Sequence, residues 1–314
     1  KGGKEVFEVN NYGDSYLGSA SLATATTYSD NSVYAQVGLE SIKGSTHAIA
    51  ATAHKLGVQT HLSTNPAMVL GGLKEGVTPL EWTYAFSTLA NDGDRVSGTL
   101  APIPGDSPVA YTQVTDQDDD TIKGGDNDSI HTQVVPSGVA EEAKGILHSV
   151  VTSGTGVRAD IGDPSQWGKT GTTENNGDAW FCGATEEVTA CVWVGYADTT
   201  TPMLTEFSGG PVDGGTFPAL IWASVISSWG EIKADRDAER ASEKAARLAG
   251  EEDSSSTDSG GEEEGYVPAE PVPEVESVPE SEAAPEVERE AAPAPEAAPE
   301  AAPESGGGGG ITAD

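Results

Sequence analysis

The sequence predicts an α+β domain whose antiparallel sheet packs between helices, followed by a disordered acidic tail. Three observations carry this reading. Amphipathic helical patterns dominate roughly the first half of the chain. A hairpin pattern rich in Val, Trp and Phe comes late, followed by a closing apolar helix. Beyond Glu251 the large apolar residues almost vanish.

The elements follow in chain order. From Ser45 to Leu56, Ile49, Ala53 and Leu56 mark one helical face, and Gly57 is a natural stop. Thr78-Pro-Leu-Glu81 places a capping Thr, a first-turn Pro and a Glu that closes a capping box. Trp82, Ala85, Phe86, Leu89 and Ala90 then repeat with helical spacing until Gly93. Strands are expected at 108–115 and 130–135. Asp116-Gln-Asp-Asp-Asp120 and Gly124-Gly-Asp-Asn-Asp128 read as surface loops between them, and their spacing does not match an EF-hand. A third helix runs from Gly138 to Thr152, with Val139, Ala143, Ile146, Leu147 and Val150 on one face. Strands at 167–172, 178–184 and 188–196 complete the sheet, the last two as a hairpin. Phe217-Pro-Ala-Leu-Ile-Trp222 opens a fourth helix that grades into a charged stretch ending near Gly250.

A turn at Glu186-Glu187 sets Cys182 and Cys191 opposite each other. Cross-strand neighbours can meet disulfide geometry, as in an oxidising compartment; two small buried apolar residues satisfy the same pattern. No metal site is expected: no second Cys or His pair stands at ligand spacing, and the histidines at 47, 54, 61, 131 and 148 are scattered. No cofactor motif is found. The organisation predicted is a domain over 1–230, a charged helical extension over 231–250 and a disordered tail over 251–314.

Charge excludes several partners. The net charge is −35, which argues against nucleic acid and against electrostatic adhesion to anionic lipid. Between Glu251 and Glu304 stand 18 acidic residues and one basic residue, Arg289. Such a Pro-, Ala- and Glu-rich segment reads as an extended solvated spacer. No apolar run approaches a membrane span. Lys1, entering at a Gly-Gly pair, reads as the interior of a longer chain, with any membrane anchor upstream.

Two short segments stand out for chemistry: Ser29-Asp30-Asn31 and Lys169-Thr170-Gly171-Thr172. Alone, each is ordinary turn or strand-start chemistry. In this order, with further phrases between and after them, they resemble the transpeptidase domain of bifunctional (class A) penicillin-binding proteins. The supporting phrases are Gly76-Val-Thr-Pro-Leu-Glu81, Ala90-Asn-Asp-Gly93, Ser153-Gly-Thr-Gly156, Asp178-Ala-Trp-Phe181, Val192-Trp-Val-Gly-Tyr196 and Gly214-Gly-Thr-Phe-Pro218. The resemblance covers about residues 5 to 230.

The resemblance implies a serine β-lactamase/D,D-transpeptidase-like fold, incomplete at the N-terminus. It implies acyl transfer from D-Ala-D-Ala stem peptides of peptidoglycan, with β-lactams as ligands, on the extracytoplasmic face of the bacterial membrane. Ser29 is then the proton relay to the leaving nitrogen, and Asn31 holds the substrate amide. Lys169 supplies positive charge near Ser29. Thr170 and Thr172 bind the substrate carboxylate, Gly171 lets substrate lie flat on the strand, and the Thr172 N–H is half of an oxyanion hole. Asp30 faces away and braces the turn.

One departure matters most. The family's Ser-x-x-Lys is absent: no lysine in the sequence has serine three residues before it, Thr52-Ala-His-Lys55 being nearest. Nucleophile, general base and the other half of the oxyanion hole are therefore missing, and this chain alone is expected to be inactive. A smaller departure is Gln166-Trp-Gly168, where the family is smaller before Lys-Thr-Gly. Two alternatives keep the cleft but change its use: a D,D-carboxypeptidase or β-lactamase-like hydrolase, and a non-catalytic cell-wall peptide-binding module.

Overall fold

The three-stranded sheet that ends the domain is ordered β5-β6-β7 and antiparallel throughout, from Trp167–Thr172, Asp178–Ala184 and Thr189–Gly195. A computed structural model describes residues 8–255 except 102 and 119. Strand alternation gives this sheet two buried faces. On one, Phe181 meets Trp222 edge-on at 5.3 Å, and Ile226 joins the same cluster; both Trp222 and Ile226 lie on α6 (Phe217–Ser255). On the other, Trp167 stacks on Phe86 of α4 (Pro79–Ala90) at 5.8 Å. Helices on both faces make the predicted α+β architecture. Full burial of Phe181 and Trp222 contributes about 2–3 kcal/mol each.

The cysteines resolve in favour of the bridge. Cys182 pairs with Cys191 in the ladder, and the two form a disulfide with Cα atoms 4.1 Å apart. On the opposite side of β6, Cys182 pairs with Lys169. The unusual Gln166-Trp167 start leaves β5 in unbroken register from Trp167 to Thr172. Gln166 is itself buried, and its side chain accepts from the Ile161 N–H at 2.9 Å.

The first half is helical as the periodicity predicts. α3 (Ser45–Leu56) ends at Gly57, whose φ of 125° few other residues adopt. α4 packs on α3 through Ala50 and Ala85, closed beneath by Val58, Leu62 and Met68. Two six-residue helices were not predicted, α1 (Leu22–Thr27) and α2 (Asn31–Gln36). Each spans less than two turns, too short for a period to show.

Other expectations shift. The strand at 108–115 shrinks to β2 (Gln113–Thr115), and the one at 130–135 becomes β4 (Ser129–Gln133). β1 (Asp94–Gly98) and β3 (Thr121–Asp126) were missed; β3 takes part of what was read as a surface loop. They pair β1-β4 and β2-β3. Asp-Arg-Val-Ser-Gly and Thr-Ile-Lys-Gly-Gly-Asp carry one apolar residue of any size each, so neither alternates. In α5 (Ser137–Ser153) the buried positions are Ala140, Val150 and Val151, while Val139 is exposed. α6 continues through Gly250 to Ser255. The tail expected to be disordered from residue 251 is instead helical through Ser255, and its remainder, 256–314, lies outside the described residues.

The Glu81 carboxylate ties α4 to the loop after α3. It accepts from the backbone N–H of Gln59, Thr60 and Thr78 at 3.0, 2.7 and 3.1 Å, and from the Thr60 and Thr78 hydroxyls at 2.9 and 3.0 Å. Burial pushes its pKa up, but these bonds outweigh it and hold the group down at about 2.

Two predictions follow from this packing. Glu81→Gln is expected to lower stability at pH 7 by about 1–2 kcal/mol. Because the folded pKa lies below the ordinary 4.5, the advantage is complete above that value and is lost as pH falls toward about 2. Urea denaturation of both proteins from pH 7 to 3 tests it, and a gap that widens on acidification would contradict it. Replacing both cysteines by alanine is expected to cost about 2–3 kcal/mol, from the short loop the bridge closes. An unchanged urea midpoint after that replacement would show that the strand ladder alone holds the hairpin.

Candidate active site

Ser29 sits in the tight connection between α1 and α2, and the local sequence explains why. The Ser21 hydroxyl caps α1 by accepting from the Thr24 N–H at 3.1 Å. α1 then ends as the Ser29 and Asp30 N–H groups donate back to Thr26 and Ala25 at 3.2 and 2.9 Å. Asp30 opens α2, its carboxylate accepting from the Val33 N–H at 3.0 Å and the Ser32 hydroxyl at 2.7 Å. Asp30 is only 3% exposed. Burial pushes its pKa up, yet the donors from Ser32, Val33, Asn11 and Leu17 win and leave it below the usual carboxylate value. Between these two helix ends Ser29 adopts a left-handed φ of 56°.

Lys169 comes from β5, 140 residues later, and its ammonium donates to the Ser29 hydroxyl at 2.8 Å. It also donates to the Thr170 carbonyl at 3.1 Å and, more weakly, to the Thr170 hydroxyl at 3.4 Å. Among the described residues no carboxylate lies within ion-pair distance of Lys169. Burial therefore acts unopposed and holds its pKa down to about 8, against an ordinary 10.5.

A third segment locks the first two together. Gly154 lets the chain run against α1: a Cβ there would stand 2.2 Å from the Thr27 carbonyl oxygen. The Thr155 N–H donates to that same oxygen at 3.2 Å, and the Thr27 and Ser149 hydroxyls meet at 2.5 Å. The Thr155 hydroxyl in turn lies 2.7 Å from the Thr170 hydroxyl on β5. Gly214 and Gly215 cross close by, the Gly214 N–H donating to the Thr172 hydroxyl at 3.1 Å.

Of the residues singled out from sequence, the structure brings Ser29, Lys169 and Thr170 into one hydrogen-bonded group. Thr172 stands two residues along β5, its hydroxyl oxygen turned to Gly214. Gly171 has room: a Cβ there would meet only the Trp180 side chain, at 3.4 Å. Asn31 stands apart. It is the first residue of α2, and its carboxamide donates to the Asn10 carbonyl at 2.9 Å rather than to Ser29 or Lys169. Sequence reasoning missed Thr155 as a member of the cluster. Its signal was a hydroxyl residue between two glycines, a pattern of close backbone approach.

A lysine with a depressed pKa titrates apart from its fellows. In a chain carrying ¹³Cε-labelled lysine, one resonance is expected to titrate near pH 8 and to vanish in Lys169→Met. The folded state then binds fewer protons than the unfolded one between about 8 and 10.5, so this group's effect on stability turns unfavourable as pH falls through that window. Every lysine titrating above pH 10 would overturn the assignment.

The family model for the penicillin binding protein transpeptidase domain matches residues 1–220. Penicillin-binding protein 4 of Bacillus subtilis (strain 168) is 35% identical over 148 residues, 45% of this chain and 22% of that protein. Penicillin-binding protein 1F of the same strain is 28% identical over 232 residues, 70% of this chain and 29% of the relative. The chain thus spans less than a third of the length of these curated relatives. Among solved structures, the PonA1 protein of Mycobacterium tuberculosis in complex with penicillin V shares the fold with a TM-score of 0.58. The identity there is 23%, with 69% of this chain and 58% of that one covered. By the match of most of its described residues to that family model, and by motifs that meet in space, this chain belongs to the penicillin binding protein transpeptidase domain family.

Proposed function

We propose that this chain is the Lys-Thr-Gly-bearing part of a serine D,D-transpeptidase that crosslinks peptidoglycan stem peptides outside the cytoplasm. The observation that carries the reading is the 2.8 Å bond between Lys169 and Ser29, since two triplets remote in sequence meet at one point. The disulfide fits an oxidising compartment.

In this reading a serine from a Ser-x-x-Lys segment outside this sequence gives its proton to the lysine of that segment and attacks the carbonyl of the penultimate D-Ala. The bond to the terminal D-Ala nitrogen breaks, and an acyl-enzyme forms. The leaving nitrogen takes its proton from the Ser29 hydroxyl, which Lys169 reprotonates; a pKa of about 8 suits an exchange near neutral pH. An amine of a second stem then attacks the acyl carbon, its proton passing through Ser29 back to Lys169. The serine oxygen leaves and recovers its proton from the lysine of its own segment. The hydroxyls of Thr170 and Thr172 hold the substrate's terminal carboxylate, and the Thr172 N–H faces the developing oxyanion. Asn31 reaches the substrate amide only if its carboxamide leaves the Asn10 carbonyl. β-Lactams occupy the same cleft as acylating analogues.

A second reading uses the same cluster of Ser29, Lys169 and Thr170 in a peptide-binding module without catalysis. Fluorescent penicillin separates the two. This chain alone is expected to take up no covalent label. The full product of the reading frame that contains the Lys1 codon is expected to be labelled, and Lys169→Ala in it to slow labelling by about 100-fold or more. A full-frame product that binds N-acetyl-D-Ala-D-Ala but is never labelled would leave only the binding module.

A further inference from the structure

The Ser153-Gly-Thr-Gly156 segment has no chemical part in the mechanism above, yet its hydroxyl points into the cluster. Thr155 Oγ1 lies 2.7 Å from Thr170 Oγ1 and makes no other hydrogen bond among the described residues. Its backbone leaves that hydroxyl little room to withdraw. The Thr155 N–H is held by the Thr27 carbonyl at 3.2 Å. A Cβ on Gly215 would stand 2.4 Å from the Thr155 carbonyl oxygen, so that side is closed as well.

Counting donors and acceptors gives this contact a direction. A hydroxyl has one proton and two lone pairs. A charged lysine only donates, so the 3.4 Å approach of Lys169 takes up one lone pair of Thr170 Oγ1. If Thr155 accepts from Thr170, the single Thr170 proton is used inside the protein. If Thr155 donates, both lone pairs are filled and the Thr170 proton must point into the cleft. An approaching carboxylate selects the second arrangement, because each donor in such a chain polarises the next.

We propose that Thr155 is a positioning residue that makes the Thr170 hydroxyl a proton donor toward a carboxylate in the cleft. The proposal rests on the reading that this strand binds the terminal carboxylate of a D-Ala-D-Ala peptide. Thr155 touches Thr170 and not the ligand, and it acts on affinity through Thr170 alone.

The test uses this chain with N-acetyl-D-Ala-D-Ala as the probe, followed by the amide resonances of Thr170 to Thr172. Thr155→Val is expected to weaken the probe about three- to fivefold, because Thr170 can still donate to the carboxylate but loses the neighbour that polarises it. Thr155→Ser should restore binding to within about twofold, because it keeps the hydroxyl. In a Thr170→Val background, Thr155→Val should have no further effect, since the group through which it acts is gone. Urea midpoints check the fold of each variant, and Thr155→Ala replaces the valine variant if its midpoint falls. Equal binding by wild type and Thr155→Val overturns the role of Thr155 while leaving the cleft reading intact. A serine variant that fails to rescue, or additive losses in the double variant, shows packing in place of positioning. A wild-type chain whose Thr170 to Thr172 amides do not respond overturns the carboxylate-site reading, and the proposal with it.

Discussion

The junction around Gly154 and Thr155 is the constraint on which the site depends. One short segment contacts α1 through the Thr27 carbonyl, β5 through the Thr170 hydroxyl, and the Gly214-Gly215 crossing before α6. Two of these contacts require a missing side chain, at Gly154 and Gly215, because a Cβ would enter a carbonyl oxygen. Such approaches fix relative positions more tightly than apolar packing, which tolerates repacking. Ser29 and Lys169 meet because both of their elements are pinned to the same few atoms.

The electrostatic character of the cluster follows from what surrounds the ammonium. Lys169 has hydroxyls and a carbonyl as partners, all neutral. Carboxylates are abundant in this chain, but none of the described ones pairs with Lys169. Asp30 caps α2, and Asp178 accepts from the Trp193 indole N–H at 2.9 Å. A carboxylate beside Lys169 would have kept it firmly protonated; neutral partners leave it able to exchange a proton. The acidity of the chain as a whole therefore says little about its site, since exposed charges are screened over short distances.

Much of this was readable beforehand, and the reasons differ by element. α3, α4 and α5 announced themselves by periodicity, and the Thr78 to Glu81 box is formed as the four residues imply. The late hairpin and its register followed from alternation and a two-residue turn, enough to set Cys182 against Cys191. α1 and α2 were hidden because six residues cannot display a helical period, and capping by Ser21 and Asp30 does much of the work of defining them. β1 and β3 were hidden because they are polar ribbons. The site was half legible. The resemblance to a known family's motifs pointed to Ser29, Lys169 and Thr170, whereas the Asn31 carboxamide on Asn10 and the Thr155 hydroxyl on Thr170 depend on tertiary contacts that no spacing encodes.

The left-handed backbone at Ser29 sets the turn against the hydroxyl it carries. At a φ of 56° glycine is the residue that the main chain accepts without strain, and any other costs about 1 kcal/mol or more. Ser29→Gly would therefore relax the turn and at the same time remove the hydroxyl that accepts from Lys169, so at this one position backbone comfort and the hydrogen-bonded cluster pull against each other.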